Sequence, residues 1–200
     1  NFYNWNDYIT DDALKSFTAQ SGIRVQYDLF DSIDTVETKL LTGGSGYDVV
    51  MTDASRRLKR QISTGVFQKL DKSKLTNYGN IDPQILKWIG NFDNGNQYAI
   101  PYMWGTTGIG YNVDLVNERL PHSPMNGWDV LLDPAQVSKL EDCGIAVLDD
   151  VEELYVATML YLGKDPNDFN SSNIKAVEDH LKKVRPHIRY FSNSQYMSDL

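Results

Sequence analysis

Residues 1–51, NFYNWNDYITDDALKSFTAQSGIRVQYDLFDSIDTVETKLLTGGSGYDVVM, alternate strand-like and helix-like segments, and this alternation predicts the fold. Three segments have the character of strands: Asn1–Tyr3, Ile23–Phe30 and Tyr47–Met51. Helical patterns lie between them, at Asp11–Gln20 and Ile33–Leu41. Strands that alternate with helices of about ten residues predict an α/β fold, in which a parallel sheet carries helices on both faces.

Two of the predicted strand ends carry polar and aromatic side chains. Asn4–Tyr8 follows the first strand, and Thr52–Ser55 follows the third. Ligands of parallel α/β sheets bind beyond the carboxyl ends of the strands. Ring faces and carboxylates both attract ammonium groups, so residues 4–8 predict a site for an organic cation. For Trp5 and Tyr8 taken alone, packing in the core is the simpler interpretation.

The charge of the chain narrows the class of partner. Its 19 basic and 27 acidic residues give a net charge of −8, which argues against nucleic acid and is compatible with a cationic ligand. No apolar run approaches the roughly 18 residues that span a bilayer, which predicts a soluble protein. The N-terminus lacks the pattern of an export signal. The protein is therefore either cytoplasmic, or an export signal precedes this numbering and has been removed.

Residues 52–112 continue the alternation and then change in character. They predict three further elements: a helix at Ser55–Ser63, a short helix at Gln84–Gly90 and a strand at Gln97–Ile100. The next segment, Pro101–Asn112 (PYMWGTTGIGYN), carries no formal charge. We interpret it as a crossover strand or hinge between two lobes, since such a connection must be extended and must admit changes in backbone angles. An ordinary core strand is the alternative.

Beyond this segment the α/β pattern restarts. Helices are predicted at Val113–Arg119, Trp128–Leu132, Pro134–Glu141, Glu152–Leu162, Ser172–Val184 and from Ser194, with strands at Gly144–Leu148 and Ile188–Phe191. We therefore expect residues 1–104 to form a first α/β lobe, and residues 105–200 to form the hinge crossover and a partial second α/β lobe. So few strands cannot complete a sheet, and we expect the 200 residues to be a fragment.

Several motifs occur together in a specific order. They are residues 4–9 (NWNDYI), 46–50 (GYDVV), 65–71 (GVFQKLD), 101–112, 161–166 (YLGKDP) and 194–196 (SQY). In this order they resemble the periplasmic polyamine-binding proteins of ABC transporters, and most closely the putrescine-binding members. The resemblance implies a two-lobed clamshell, here only its N-terminal part with the second lobe incomplete.

The same resemblance implies a function. Such a protein captures a polyamine of the putrescine or spermidine class between its lobes and delivers it to inner-membrane ABC permease subunits. It also implies a periplasmic location after removal of a signal peptide, a monomer, no cofactor, no metal and no enzymatic activity. A sensor that uses the same clamshell to report an amine or an ω-amino acid, without transport, is the alternative.

The resemblance also implies which side chains bind the ligand. Trp5 and Tyr8 match aromatic positions that enclose the methylene chain, and Asp7 matches a carboxylate beside one ammonium group. Asn6 stands where the putrescine binder has serine, and its carbonyl oxygen can still accept a hydrogen bond. Glu153 matches the acidic ligand at the other end of the amine. Taken without the family, a glutamate at a helix start is usually just favourable for the helix dipole.

The third strand end departs from the family pattern. Relatives usually have Pro-Ser here, whereas this chain has Asp53 at the serine position, with Ser55 as a further candidate ligand. The Asp53 carboxylate can strengthen amine binding, or it can cap the following helix by accepting a backbone N–H. The basic run Arg56–Arg60 is interpreted mainly as an exposed helix face. Because of Asn6 and Asp53, the choice among amines and ω-amino acids stays open.

The single cysteine and the three histidines do not form a recognised catalytic or metal motif. Cys143 is interpreted as a small buried apolar residue, and the resemblance implies that it pairs with a cysteine downstream of residue 200. His122, His180 and His187 lack metal-ligand spacing. The segment Gly105–Gly110 lacks the Lys-Ser/Thr of a phosphate-binding loop, and the chain has no G-x-S-x-G motif. An enzyme is therefore the weaker hypothesis.

Overall fold

The computed structural model describes residues 1–6 and 8–199 of the chain. The chain divides into two compact units, Asn1–Gly105 and Thr106–Leu200. Each unit has its own small sheet and its own buried apolar side chains. Over the described residues, no helix is long and apolar enough to cross a membrane.

The first unit is built on a three-stranded parallel sheet. Its strands are β1 (Phe2–Trp5), β2 (Tyr27–Phe30) and β3 (Val49–Val50), in the order β2-β1-β3. The register pairs Phe2 with Tyr27 on one side of β1 and with Val49 on the other. The predicted β-α-β-α-β order and parallel pairing are therefore confirmed.

In the described part of the first unit, four α-helices and two short 3-10 helices accompany the sheet. The α-helices are α1 (Asp11–Ser21), α2 (Ile33–Leu41), α3 (Arg56–Ser63) and α4 (Pro83–Ile89), and the 3-10 helices are Lys72–Lys74 and Tyr78–Asn80. Helix α1 begins where the Thr10 side chain accepts the N–H of Ala13. It ends at Gly22, whose φ of 71° lies in the left-handed region that glycine enters without a steric penalty.

The core of the first unit lies between the sheet and α2. Helix α2 buries Ile33, Val36 and Leu40, whose spacing of three and four residues places them on one face. This face packs with Tyr3 of β1 and Phe30 of β2. Burying such side chains stabilises the fold by about 1.5–3 kcal/mol each, so this apolar stripe fixes the helix on the sheet.

The second unit contains a two-stranded parallel sheet. Strands β4 (Ile145–Val147) and β5 (Ile188–Phe191) pair with a local irregularity between Ile145 and Ala146. The helices are α5 (Val113–Arg119), α6 (Asp129–Leu132), α7 (Pro134–Val137), α8 (Val151–Tyr161), α9 (Ser171–Val184) and α10 (Tyr196–Asp199), with 3-10 helices at Glu141–Cys143 and Arg185–His187. The strands, α7 and α9 share a core formed by Val137, Val147, Val184 and Ile188.

The predicted strand at Gln97–Ile100 is wrong. The Asp93 carboxylate accepts the backbone N–H groups of Gln97, Tyr98 and Ala99 at 2.8–3.0 Å. Donors that bond to a side chain are not available to a neighbouring strand, so the segment is an anchored loop. Leu70 makes one isolated backbone bond to Gln97, with its N–H 2.8 Å from the carbonyl oxygen.

Two other predicted strands are shorter than expected. The run Ile23–Phe30 forms a strand only at Tyr27–Phe30, and Tyr47–Met51 only at Val49–Val50. Both pair with β1, which has only four residues. Strand β1 begins at Phe2, whose N–H donates to the Gln26 carbonyl. Residues 23–25 therefore lie beyond the end of β1.

Helix α7 and the uncharged segment also differ from expectation. The predicted helix Pro134–Glu141 ends at Val137, because Lys139 and Leu140 donate to carbonyls three residues back and tighten the turn.

The described structure has no strand in Pro101–Asn112, and Tyr102–Asn112 are exposed. The core-strand alternative for this segment is therefore wrong, and the boundary between the two units falls inside it.

Candidate functional site

The carboxyl ends of β1 and β3 lie side by side in the first unit. Tyr3 is paired with Val50, and the Met51 N–H donates to the Tyr3 carbonyl at 2.9 Å. Continuing this parallel register by two residues brings Trp5 to the level of Thr52. The two strand ends that the sequence singled out therefore share one edge of the sheet.

Three aromatic side chains form a wall at this edge. The ring of Trp5 lies 6.3 Å from that of Tyr8, and the ring of Tyr8 lies 6.5 Å from that of Tyr102. The Tyr102 hydroxyl also donates to the Tyr8 carbonyl oxygen. Tyr8 and Tyr102 are 39% and 48% exposed, so both residues lie at the surface of the first unit. We call Trp5, Tyr8 and Tyr102 the aromatic wall.

Trp5 packs against the core of the first unit. Its ring lies 4.6 Å from that of Phe30, and it is half-buried. The Asn4 side chain, which is fully buried, accepts the backbone N–H of Trp5 at 2.9 Å and donates to the Tyr27 hydroxyl at 3.1 Å. Buried polar groups with satisfied hydrogen bonds restrict the local conformation. Trp5 therefore has a packing role, and ligand binding by its ring stays a prediction.

Tyr102 is a candidate site residue that sequence reasoning missed. It was assigned to the hinge segment, although its run, Pro101–Trp104, is itself aromatic. The loop before it is anchored by Asp93, which is 2% exposed and accepts three backbone N–H groups. Carboxylate-to-amide hydrogen bonds are among the strong ones. A buried carboxylate therefore fixes the chain that carries Tyr102 toward Tyr8.

The structure describes one of the two polar residues between Trp5 and Tyr8. Asn6 is exposed, and its backbone N–H donates to the Phe30 carbonyl at 3.3 Å. Its side chain is therefore on the surface of the strand end, as a ligand contact requires. Asp7 lies outside the described residues.

Asp53 is paired with a cation of the helix that follows it. Its carboxylate accepts from the Arg57 guanidinium at 3.1 Å. The N-cap of α3 is Ser55, whose hydroxyl accepts the Arg57 N–H at 3.1 Å. The interpretation of Asp53 as the cap of α3 is therefore wrong. Ser55 keeps a second lone pair beyond the capping bond, since a hydroxyl oxygen has two.

The basic run on α3 is not simply an exposed face. The Arg57 side chain is only 13% exposed, and its guanidinium also lies 3.0 Å from Asp34 and 3.7 Å from Glu37. Arg60 donates to both Glu37 oxygens. These five residues, Asp34, Glu37, Asp53, Arg57 and Arg60, form what we call the α2–α3 ion cluster. It joins the helices that flank the third strand, so the predicted exposed face is wrong for Arg57.

Glu153 belongs to the second unit and lies in the first turn of α8. The Asp150 side chain caps this helix by accepting the N–H groups of Glu152 and Glu153 at 2.9 and 3.0 Å. Glu153 is exposed. Because Asp150 supplies the cap, the Glu153 carboxylate is not required to bond its own helix end. It stands on the surface of the second unit.

Cys143 is a free thiol in the described chain. It is partly buried and packs against the apolar cluster of Val116, Leu120, Val130 and Leu140. Among the described residues, no group of three or more His, Cys, Asp and Glu side chains is arranged to hold a metal ion.

Comparison with known proteins identifies the family. Residues 12–200 match the family model of the bacterial extracellular solute-binding proteins. The chain is 48% identical over 200 residues to the putrescine-binding periplasmic protein PotF of Escherichia coli (strain K12), covering 99% of this chain and 54% of the relative. It is 46% identical to the putrescine-binding periplasmic protein SpuD of Pseudomonas aeruginosa (strain UCBPP-PA14), with the same coverage.

A solved structure agrees with this match. It is the spermidine/putrescine ABC transporter substrate-binding protein PotD from Streptococcus pneumoniae strain Canada MDR_19A, which is 32% identical with a TM-score of 0.69. The match covers 95% of this chain and 55% of that chain. The predicted periplasmic-binding-protein fold is thus confirmed, and the chain spans about half the length of the proteins it matches. The chain belongs to the bacterial extracellular solute-binding protein family.

Proposed function

We propose that the protein captures a polyamine of the putrescine or spermidine class and delivers it to the permease subunits of an ABC transporter in the inner membrane. The observation that carries this proposal is the aromatic wall at the carboxyl ends of parallel strands. The names of the relatives support the ligand class, since PotF and SpuD are putrescine-binding periplasmic proteins.

The chemistry of such a ligand suits the candidate residues. A diamine has a methylene chain with an ammonium group at each end, so it needs aromatic faces and anionic oxygens. Trp5, Tyr8 and Tyr102 supply ring faces on the first unit. Asn6, Asp7, Asp53 and Ser55 are the proposed polar contacts at this end, and Glu153 is the proposed ligand of the other ammonium group.

The affinity expected from these contacts is in the micromolar range. Each charge-assisted hydrogen bond contributes roughly 1.5–3 kcal/mol, and each cation–π contact contributes roughly 0.5–2 kcal/mol. Two of the former with two of the latter contribute roughly 4–10 kcal/mol, a range that includes the 8 kcal/mol of a Kd near 1 μM.

The proposal extends to the setting of the protein. We assign residues 1–104 to the first lobe and residues 105–200 to the hinge crossover and part of the second. Binding followed by lobe closure breaks no covalent bond, so we propose a carrier without enzymatic activity. We also propose that it is a monomer and needs no cofactor. We propose a periplasmic location because the names of the relatives place them in the periplasm. Removal of a signal peptide is part of the same proposal.

The proposal is tested by calorimetric titration of the full-length protein. Putrescine, cadaverine, spermidine, spermine and 4-aminobutyrate are titrated separately at one salt concentration. Micromolar or tighter binding of a diamine or polyamine supports the proposal, and binding of none of them refutes it. Preference for 4-aminobutyrate would refute the polyamine class. Uptake of labelled amine by cells with and without the protein then separates a transporter subunit from a sensor.

A further inference from the structure

The α2–α3 ion cluster touches the candidate site through Asp53. This residue follows the end of β3, one position beyond the level that Trp5 reaches on β1. Its carboxylate is 36% exposed and accepts from the Arg57 guanidinium at 3.1 Å. A carboxylate at the binding edge is therefore joined directly to a nearly buried cation.

Arg57 is tightly surrounded by negative charge. Its other contacts are Asp34 at 3.0 Å and Glu37 at 3.7 Å, and Arg60 shares Glu37. Three carboxylates thus face two guanidinium groups, which leaves the cluster with one net negative charge. Because the Arg57 side chain is 13% exposed, solvent screens its charge weakly.

The pairing changes what Asp53 offers to a ligand. A carboxylate with its own guanidinium attracts a further cation less strongly, since the guanidinium repels that cation over nearly the same distance. A diamine places one ammonium group at each end of the site, and the aromatic wall serves the near end. Longer polyamines carry additional ammonium groups, which would gain most from an uncompensated carboxylate at the strand end.

We infer that Arg57 is a specificity-determining residue, which pairs with Asp53 and thereby favours diamines over polyamines that carry three or four ammonium groups. This inference rests on the proposed function. It makes Arg57 a positioning residue, because it acts on the ligand through Asp53.

The test measures the ratio of spermidine affinity to putrescine affinity by calorimetry on the full-length protein. The variants are Arg57→Met, which keeps an apolar stem without charge, and Arg57→Gln, which can still donate to Asp53. Each is made with Asp53 intact and with Asp53→Ser. We expect the ratio to rise roughly tenfold in Arg57→Met, to rise less in Arg57→Gln, and to stay unchanged when Asp53→Ser is also present.

Asp34→Asn provides the matched control. It removes a carboxylate that contacts the same guanidinium but whose side chain is 76% exposed and belongs to α2. We expect the ratio to stay at the wild-type value. A fall in the ratio as large as the rise in Arg57→Met would overturn the inference, because the two substitutions change the net charge of the cluster in opposite directions and overall charge would then set selectivity.

Other outcomes also decide. An unchanged ratio in both Arg57 variants, with only a lower melting temperature, would show that the Asp53–Arg57 pair is purely structural. This outcome would overturn the inference and leave the proposed function standing. An equal rise in the Asp53→Ser background would show that Arg57 does not act through Asp53. If the wild-type protein binds no amine, the proposed function and this inference fail together.

Discussion

Replacing Trp5 by leucine tests whether its ring binds the ligand. Trp5 has one side against Phe30, at 4.6 Å between ring centroids, and another toward Tyr8, at 6.3 Å. Alanine would remove both functions and confuse loss of binding with loss of packing. Leucine retains an apolar contact with Phe30 while it removes the π face that attracts an ammonium group.

The size of the effect follows from the lost interaction. A cation–π contact is worth about 0.5–2 kcal/mol, and each 1.4 kcal/mol changes affinity tenfold. We therefore expect Trp5→Leu to weaken putrescine binding about two- to thirtyfold. The fold should lose about 1–3 kcal/mol, because the leucine fills the half-buried position incompletely.

The assay is calorimetric titration of the full-length variant, with its thermal unfolding recorded in the same buffer. Trp88→Leu is the matched control, since Trp88 lies on α4 and is 52% exposed. Its putrescine affinity should equal that of the wild type. If Trp5→Leu also binds putrescine with wild-type affinity while remaining folded, Trp5 is a packing residue and the aromatic wall is not the binding surface.

Three further predictions concern other parts of the chain. Glu153→Gln should weaken putrescine binding about tenfold by calorimetry, whereas Glu152→Gln should not; equal affinity in both variants would place the second ammonium elsewhere. Asp93→Ala should lower the unfolding free energy by about 3–5 kcal/mol in urea titrations, because three backbone N–H groups lose a buried acceptor; a loss below about 1 kcal/mol would contradict this. Arg119 donates to Asp142 and holds the pKa of that carboxyl below its usual range. The pair should therefore stabilise the fold above the unfolded-state pKa of Asp142 and lose this effect as pH falls through the folded-state pKa. The stability gap between wild type and Asp142→Asn should close in acid, and a constant gap would refute the linkage.

Regular elements with a strong apolar period were predictable from the sequence. Helix α2 was predicted at Ile33–Leu41 and has these bounds, because its buried residues recur on one helical face. Strand β5 at Ile188–Phe191 was also predicted with its bounds. In these segments local preference and tertiary packing favour the same structure, so the pattern suffices.

Loops held by a distant or buried polar side chain were not predictable in the same way. Gln97–Ile100 has a strand-like composition, but its donors bond to Asp93, whose burial at 2% exposure no sequence pattern reveals. The orientation of Tyr102 toward Tyr8 depends on a contact 94 residues apart in sequence. Both features come from long-range packing, which overrides local propensity.

The departure from the family pattern at Asp53 is best understood together with Arg57. Asp53 alone is an added negative charge, and Arg57 alone is a costly cation in a half-enclosed position. Their ion pair at 3.1 Å offsets both the added negative charge and the cost of burying the cation. Asp34 and Glu37 of α2 supply further negative charge around the Arg57 guanidinium. Asp53 and Arg57 are only four residues apart, but the sequence did not show that Arg57 also meets Asp34, which is 23 positions away. An extra carboxylate at a binding edge therefore need not increase affinity for cations, since the structure can pair it with a cation of its own.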